Sequence, residues 1–293
     1  MRLRLLADGG GTKIQWMVIG SDGSVLKTFR TSGINPFVAS EADVMGLMTR
    51  EVAPHIAGLE FSSVCYYGAG CRGHGSDAMK AALGSIVGDI TDIIVDSDML
   101  GACKSLFGNS GGVACILGTG ANSALYDGHG IAGKIDSLGY ILGDEGSGAW
   151  LGKRLVADVA RGALPSELCH RFFSRFDMDI DEILRHVYRP EKCELPPNRF
   201  LASFAPFLAE NISEPEIYDL VSSGFVGFIR SSVLPYFSNP RFRSPSIHIQ
   251  SLAVGFVGSI AYGFRDVLTD VARKEGINVS SVLKSPFEGL LWK

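Results

Sequence analysis

The sequence has no CxxC pair. Its six cysteines (Cys65, Cys71, Cys103, Cys115, Cys169 and Cys193) are scattered along 293 residues, so neither a zinc site nor a disulfide framework is indicated. Several fall within apolar segments, where a thiol behaves as a small buried residue. Nor is there an excess of positive charge. Lys and Arg number 27 against 31 Asp and Glu, a formal net charge of -4, which leaves no electrostatic footprint for nucleic acid. No run approaches the ~20 apolar residues of a membrane span. The apolar segment before Asp8 is too short for a signal-peptide core and ends in a turn. These absences predict a soluble, cytoplasmic chain whose partners are small molecules, with no nucleic acid and no membrane. A homodimer is compatible with the sequence, which sets no oligomeric state.

What is present fits two globular domains. The length matches about 100–200 residues per domain, and 46% hydrophobic with 20% charged residues is an ordinary globular balance. Residues 3–7, 14–19 and 24–31 read as strands, the first two joined by DGGGT and the next pair by Ser21-Asp22-Gly23, a hairpin signal. A helix follows from Glu41, where Ser40 and Asp43 resemble a capping box. A strand at 62–67, a helix at 77–87 and a strand at 92–95 complete the first series.

The pattern then restarts. Residues 113–117 form an apolar run ending in Gly118-Thr119-Gly120, residues 122–126 a second strand, and Asp127-Gly128 another hairpin turn. Thr12 and Thr119, like Gly23 and Gly128, are separated by roughly one domain length. Two related domains, 1–108 and 109–293, are therefore expected, with helical insertions in the second and the final residues packing back on the first. Helices are expected at 148–161, 200–208, 217–231 and 259–274, the last ending at Gly276. Residues 189–197 read as a loop, and strands are expected near 247–249 and 279–283.

The chemistry concentrates at turns. In residues 8–13 (DGGGTK), Gly10 and Gly11 expose backbone N–H groups to which a phosphate can come close, and Thr12 adds a hydroxyl. Asp8, at the strand end, can hold Mg²⁺ through water. Neither GxxxxGK[ST] nor GxGxxG is present here, and the turn taken alone is equally a plain hairpin. Thr119 and Gly120 would supply a second set of phosphate donors. Asp98 opens a helix after an apolar strand. It is either the N-cap of that helix or a general base for a hydroxyl under phosphoryl transfer, with Asp96 as a competitor. Gly143-Asp144-Glu145-Gly146-Ser147 is a polar, Gly-interrupted turn suited to sugar hydroxyls. Asn35, in a Ser-Gly-Ile-Asn-Pro loop, could face the same ligand.

These segments together resemble the BadF/BadG family of ATPases, and within it the N-acetylglucosamine kinases. The resemblance is carried by DGGGTK, the SGINP loop at Asn35, Asp98, LGTGANS at 117–123, GDEGS at 143–147, and the adenosine-type segment VGSIA at 257–261. It implies an α/β chain of two RNase-H-like (actin-like ATPase) domains with ATP and sugar in a central cleft. It implies Gly10, Gly11, Thr12, Lys13, Thr119 and Gly120 as phosphate contacts, and Gly258 and Ser259 near adenosine. Asp98 matches the catalytic base. Asn35, Thr119, Asn122 and Asp144 match sugar contacts, with ATP and Mg²⁺ as cofactors and Asp8 toward the metal. The implied activity is ATP-dependent phosphorylation of an amino sugar, N-acetylglucosamine at its 6-hydroxyl. Glucosamine, another hexose, or ATPase activation of a partner enzyme are the alternatives. Those kinases can carry Trp in the loop before GDEGS, where this chain has Leu138.

Overall fold

The computed structural model describes residues 3–10, 13–88, 90, 92–242 and 252–290. Gly11, Thr12 and the strand expected at 247–249 lie outside the described residues. The chain divides into two compact units, one running to Gly108 and rejoined by the segment from Pro286 onward, the other Asn109–Ser285.

In the first unit β1 (Leu3–Gly9), β2 (Lys13–Ile19) and β3 (Val25–Ser32) form an antiparallel meander. β4 (Phe61–Gly68) runs parallel to β1, and β5 (Ile93–Asp96) parallel to β4, giving the order β3-β2-β1-β4-β5. β1 carries buried residues on both faces, as a strand covered on both sides must. One face contributes Leu5, Ala7, Trp16, Val64 and Tyr66 to a core shared with Val44 of the helix Glu41–Leu47 and Leu83 of the helix His74–Val87. Ser40 caps the first of these helices: its Oγ accepts from the Asp43 N–H at 3.1 Å and donates to the Asp43 carboxylate at 2.6 Å. The opposite face presents Leu6, Ile19 and Tyr67, which bury Phe287 of the short helix Phe287–Leu290. On that face Gly101 lets the helix Asp98–Phe107 lie close, since a Cβ there would stand 2.7 Å from the Cβ of Tyr67.

The second unit repeats the scheme. β6 (Gly112–Leu117), β7 (Ala121–Tyr126) and β8 (Ile131–Ile135) form the meander, and β9 (Ala253–Val257) and β10 (Val279–Leu283) add in parallel. The order is β10-β9-β6-β7-β8. Read from the meander edge, both sheets have the same strand order and senses, which is the RNase-H-like arrangement. The core here is larger, because the helices Gly148–Ala160, Pro215–Ser232 and Arg265–Lys274 and an aromatic group around Phe172 and Phe204 pack into it.

Four sequence expectations are corrected. The helix at 200–208 is two, Pro197–Ala202 and Ala205–Glu210, because Pro206 has no N–H to donate to the Ala202 carbonyl and is tolerated only in the first turn of a new helix. The helix at 259–274 is broken at Phe264 (φ -114°, ψ 27°), just after Gly263. Pro190–Lys192 is one 3₁₀ turn within the expected loop. Finally, Pro215–Ser238 is by length and composition apolar enough to cross a membrane, although no such run was expected. In this fold its Val221, Phe225, Phe228 and Ile229 are buried in the core.

Candidate functional site

In the first unit the expected residues gather where β1, β4 and β5 end. The Gly10 N–H donates to the Lys13 carbonyl at 2.9 Å, closing the hairpin around the Gly-rich turn. The Ala69 N–H donates to the Gly9 carbonyl at 2.8 Å, stitching the loop after β4 to the same strand end. Tyr66 lies across this junction. A Cβ on Gly9 would overlap its hydroxyl and one on Gly68 its ring, so both glycines are set by the approach of that side chain. The Tyr66 hydroxyl is buried and has no hydrogen-bond partner among the described residues. Burial first, then Cys71, Asp8 and Asp98, push its pKa far up, so it stays a neutral phenol.

Asp8 emerges on the other face of β1 and is only partly exposed. Burial raises its carboxyl to about 6, and the Asp98 charge adds to this against the lowering effect of Lys13. A carboxylate whose ionisation a neighbouring aspartate opposes is one that a hard cation, taking oxygen donors and keeping several waters, would relieve; among the described residues no group of three or more His, Cys, Asp or Glu could hold a metal ion by itself.

Asp98 is not the helix N-cap. Ser97 is, with extended backbone (φ -65°, ψ 150°) and its Oγ accepting from the Leu100 N–H at 3.2 Å. Asp98 is the first helical residue, and its Oδ1 accepts from the Met99 N–H at 2.8 Å. The competitor Asp96 is engaged with the backbone, its Oδ1 accepting from the Ser97 N–H at 2.6 Å.

Asn35 reaches this region through an unexpected neighbour. Its Oδ1 accepts from the Phe37 N–H at 3.1 Å, and the side chain lies flat on Gly70. Gly70 has φ +80°, and a Cβ built there would overlap the Asn35 amide oxygen. Next to it, Cys71 is pushed up to about 12, first by burial and then by Asp98 and Asp96. The 68–75 loop thus links Asn35 to the carboxylates, a role that nothing in its composition announces.

In the second unit the strand β6 runs into Gly118-Thr119-Gly120. The carbonyls of Gly118 and Thr119 accept from the Gly148 and Ala149 N–H groups at 2.8 and 3.0 Å. These are orphan donors at the start of the helix Gly148–Ala160, so the turn is pinned to that helix. Asp144 takes a left-handed backbone (φ 59°), which costs a non-glycine residue about 1 kcal/mol or more. The strain turns its carboxylate over Gly120, where a Cβ would come within 2.9 Å of it, while Ser137 donates to the same carboxylate at 3.0 Å. Gly258 (φ +129°) backs the turn, since a Cβ there would overlap the Leu117 carbonyl. Ser259 opens the following short helix.

Asn122 and Asp144 line one pocket of ≈ 140 Å³, walled also by Ser123, Ile135, Ser231 and Ser232. The Asn122 Oδ1 accepts from the Ser123 N–H at 2.9 Å. This bond leaves the Asn122 amide NH₂ as a donor for a ligand. The structure therefore brings Thr119, Gly120, Asn122, Asp144 and Gly258 together in one unit, and Asp8, Lys13 and Asp98 in the other. Sequence reasoning missed Tyr66 and Gly70 in the first unit, and Ser231 and Ser232 in the second. The serines carry no local signal, because they meet the pocket from the end of a long core helix.

No protein-family model and no curated protein matches the chain. Solved structures do. One from Porphyromonas gingivalis, described as a "putative N-acetylglucosamine kinase", is 40% identical over 100% of this chain and 98% of that chain, with a TM-score of 0.89. A Chromobacterium violaceum protein of the same description is 20% identical over 100% of this chain and 98% of that chain, TM-score 0.70. A Streptomyces griseus ROK-family glucokinase, solved with glucose and AMPPNP, is 17% identical over 99% and 97%, TM-score 0.61. The last two show the fold, the two-domain actin-like architecture of sugar kinases. Identity of 40% along the whole length shows more than the fold: the chain belongs to the N-acetylglucosamine kinase-like family of sugar kinases represented by the Porphyromonas gingivalis protein.

Proposed function

We propose that the protein is an ATP-dependent kinase that phosphorylates an amino sugar, N-acetylglucosamine at its 6-hydroxyl, as a BadF/BadG-type member of this family acting in the cytoplasm. The observation that carries this reading is the 40% identity with the Porphyromonas gingivalis protein over essentially both full chains. The roles follow from the chemistry of the side chains. Asp98 accepts the proton of the attacking hydroxyl. Asn35, Thr119, Asn122 and Asp144 hold the sugar, Asn122 through its NH₂ and Asp144 as an acceptor. The backbone N–H groups of Gly11 and Gly120, the hydroxyls of Thr12 and Thr119, and the Lys13 ammonium bind phosphate oxygens, while Gly10, whose N–H is held by the Lys13 carbonyl, shapes the turn that carries them. Gly258 and Ser259 border the adenosine. Bound Mg²⁺ would neutralise charge on the transferring phosphates, and Asp8, with its raised carboxyl, is the residue that would hold it. With the groups aligned, most of the rate enhancement comes from positioning and charge stabilisation.

A second amino sugar has one observation in its favour. At the pocket the chain has Leu138, 61% exposed, in a loop where related kinases can carry Trp. That favours unacetylated glucosamine or another hexose. ADP release measured with each sugar in turn decides. The expected result is turnover that depends on N-acetylglucosamine. Turnover that needs no sugar and responds only to an added protein would replace the kinase by an ATPase that activates a partner.

The Asn35 contact gives a narrower expectation. Gly70→Ala places a methyl group against the Asn35 amide in a backbone conformation that L-residues resist. The sugar KM should rise by about tenfold, equivalent to ~1.4 kcal/mol of lost binding, with the ATP KM little changed. Equal effects on both substrates would place Asn35 outside the sugar site.

A further inference from the structure

Behind the pocket of the second unit runs a chain of hydrogen bonds in which every hydroxyl both donates and accepts. The N–H of Ile135, the last residue of β8, donates to the Tyr236 hydroxyl at 3.0 Å. The Tyr236 and Ser123 hydroxyls are 3.1 Å apart. Ser123 Oγ donates its single proton to the Ser232 carbonyl at 2.7 Å, the last residue of the helix Pro215–Ser232. A carbonyl cannot donate, so the proton between the two hydroxyls comes from Tyr236. The chain then reads Ile135 N–H to Tyr236, Tyr236 to Ser123, and Ser123 to Ser232. Tyr236 and Ser123 are 0% and 1% exposed. In such surroundings successive bonds polarise one another, and a missing member leaves its neighbours unsatisfied.

Three of the groups so joined, Ser123, Ile135 and Ser232, line the pocket. They come from three different elements: β7, the end of β8, and the end of the long helix. Ile135 leads directly into Asp136-Ser137-Leu138, the loop whose Ser137 donates to Asp144. Ser123 follows Asn122 and supplies the N–H that orients its amide. Tyr236 itself stands outside the pocket, its ring packed on Phe242 with centroids 4.7 Å apart.

We propose that Tyr236 is a positioning residue for the sugar. Its hydroxyl fixes the β8 wall and the helix-end wall against each other through Ser123, and thereby sets the placement of Asn122 and Asp144. This rests on the reading of the pocket as the sugar site, so the experiment has one arm that needs no sugar. Tyr236→Phe keeps the ring and removes the hydroxyl. In steady-state kinetics the N-acetylglucosamine KM rises about five- to tenfold, the scale of one lost buried hydrogen bond, while kcat and the ATP KM stay within about twofold. Ser123→Ala raises the same KM. The double variant Tyr236→Phe, Ser123→Ala does so no more than the larger single effect, because both break one chain. In hydrogen exchange on the free protein, the amides of residues 135–138 exchange faster in Tyr236→Phe than in wild type. An unchanged sugar KM together with unchanged exchange overturns the proposal, as does an equal rise in both KM values. If wild type turns over no sugar, the kinase reading fails, and the exchange result alone decides whether the tyrosine holds the wall.

Discussion

Asp98→Asn should fold, bind sugar and lose turnover by about 10²–10⁴-fold in kcat, the range for removal of a general base. Asparagine preserves the shape and can still accept from the Met99 N–H as Asp98 does, but it cannot take a proton as a carboxylate can. The structure supplies the control for a purely architectural effect. The helix is capped by Ser97, so Ser97→Ala should lower stability by about 1 kcal/mol with a far smaller effect on kcat. A larger kinetic loss in Ser97→Ala than in Asp98→Asn, or near wild-type turnover in Asp98→Asn, would remove Asp98 from the chemistry and leave Asp144 as the candidate base. Asp96 is the weaker substitute, because its carboxylate is already held by the Ser97 N–H.

Asp8→Asn should have opposite effects on activity and stability. Asp8 is raised from the ordinary 3.8 to about 6, so between these values the folded protein binds a proton that the unfolded chain has released. Folding stability contributed by this group therefore falls as pH rises from about 4 to 6 and stays low above it. Asparagine cannot ionise and escapes the penalty. In chelator-treated protein, Asp8→Asn should exceed wild type by roughly 2–3 kcal/mol at pH 7, at 1.36 kcal/mol per pKa unit, and by little at pH 4. Urea unfolding at the two pH values reads this difference directly. The same variant should be almost inactive, having lost the carboxylate proposed to face the metal. A pH-independent stability difference would mean that Asp8 ionises normally in the folded protein.

The two halves of the chain differed in how openly their sequences declared the structure. Short-range signals were sufficient for the two meanders but not for β9 (Ala253–Val257), where no strand was expected. The Asp-Gly turns and the Ser40–Asp43 cap each depend on residues a few positions apart, and all appear in the fold. The repeated strand–turn–strand pattern became two sheets of one topology. Asp98 was legible as a helix-opening carboxylate but not as distinct from the cap, since Ser97 and Asp98 are both good capping residues one position apart. The helices Ser166–Phe176 and Ile180–Tyr188 were not placed individually, although Leu168 with Phe172, four apart, form an apolar stripe. Arg171, Arg175 and His186 between the apolar positions obscured it. Tyr236 could not be found from sequence at all. Its partners Ser123 and Ile135 lie over a hundred residues away, and no local pattern encodes a contact across that distance.

The packing of Phe287 against Leu6, Ile19 and Tyr67 has a consequence for synthesis. A ribosome makes Leu6 long before Phe287. The unit bearing Asp8 and Asp98 can form its sheet early, yet one face of that sheet lacks its cover until Phe287 and the unit before it have been made. The intervening unit does not wait for that later segment, because it spans Asn109–Ser285 without a break. Vectorial folding therefore finishes the N-terminal half after the half that follows it. A stop codon just before Phe287 would leave the second unit whole and expose an apolar surface on the carboxylate-bearing one.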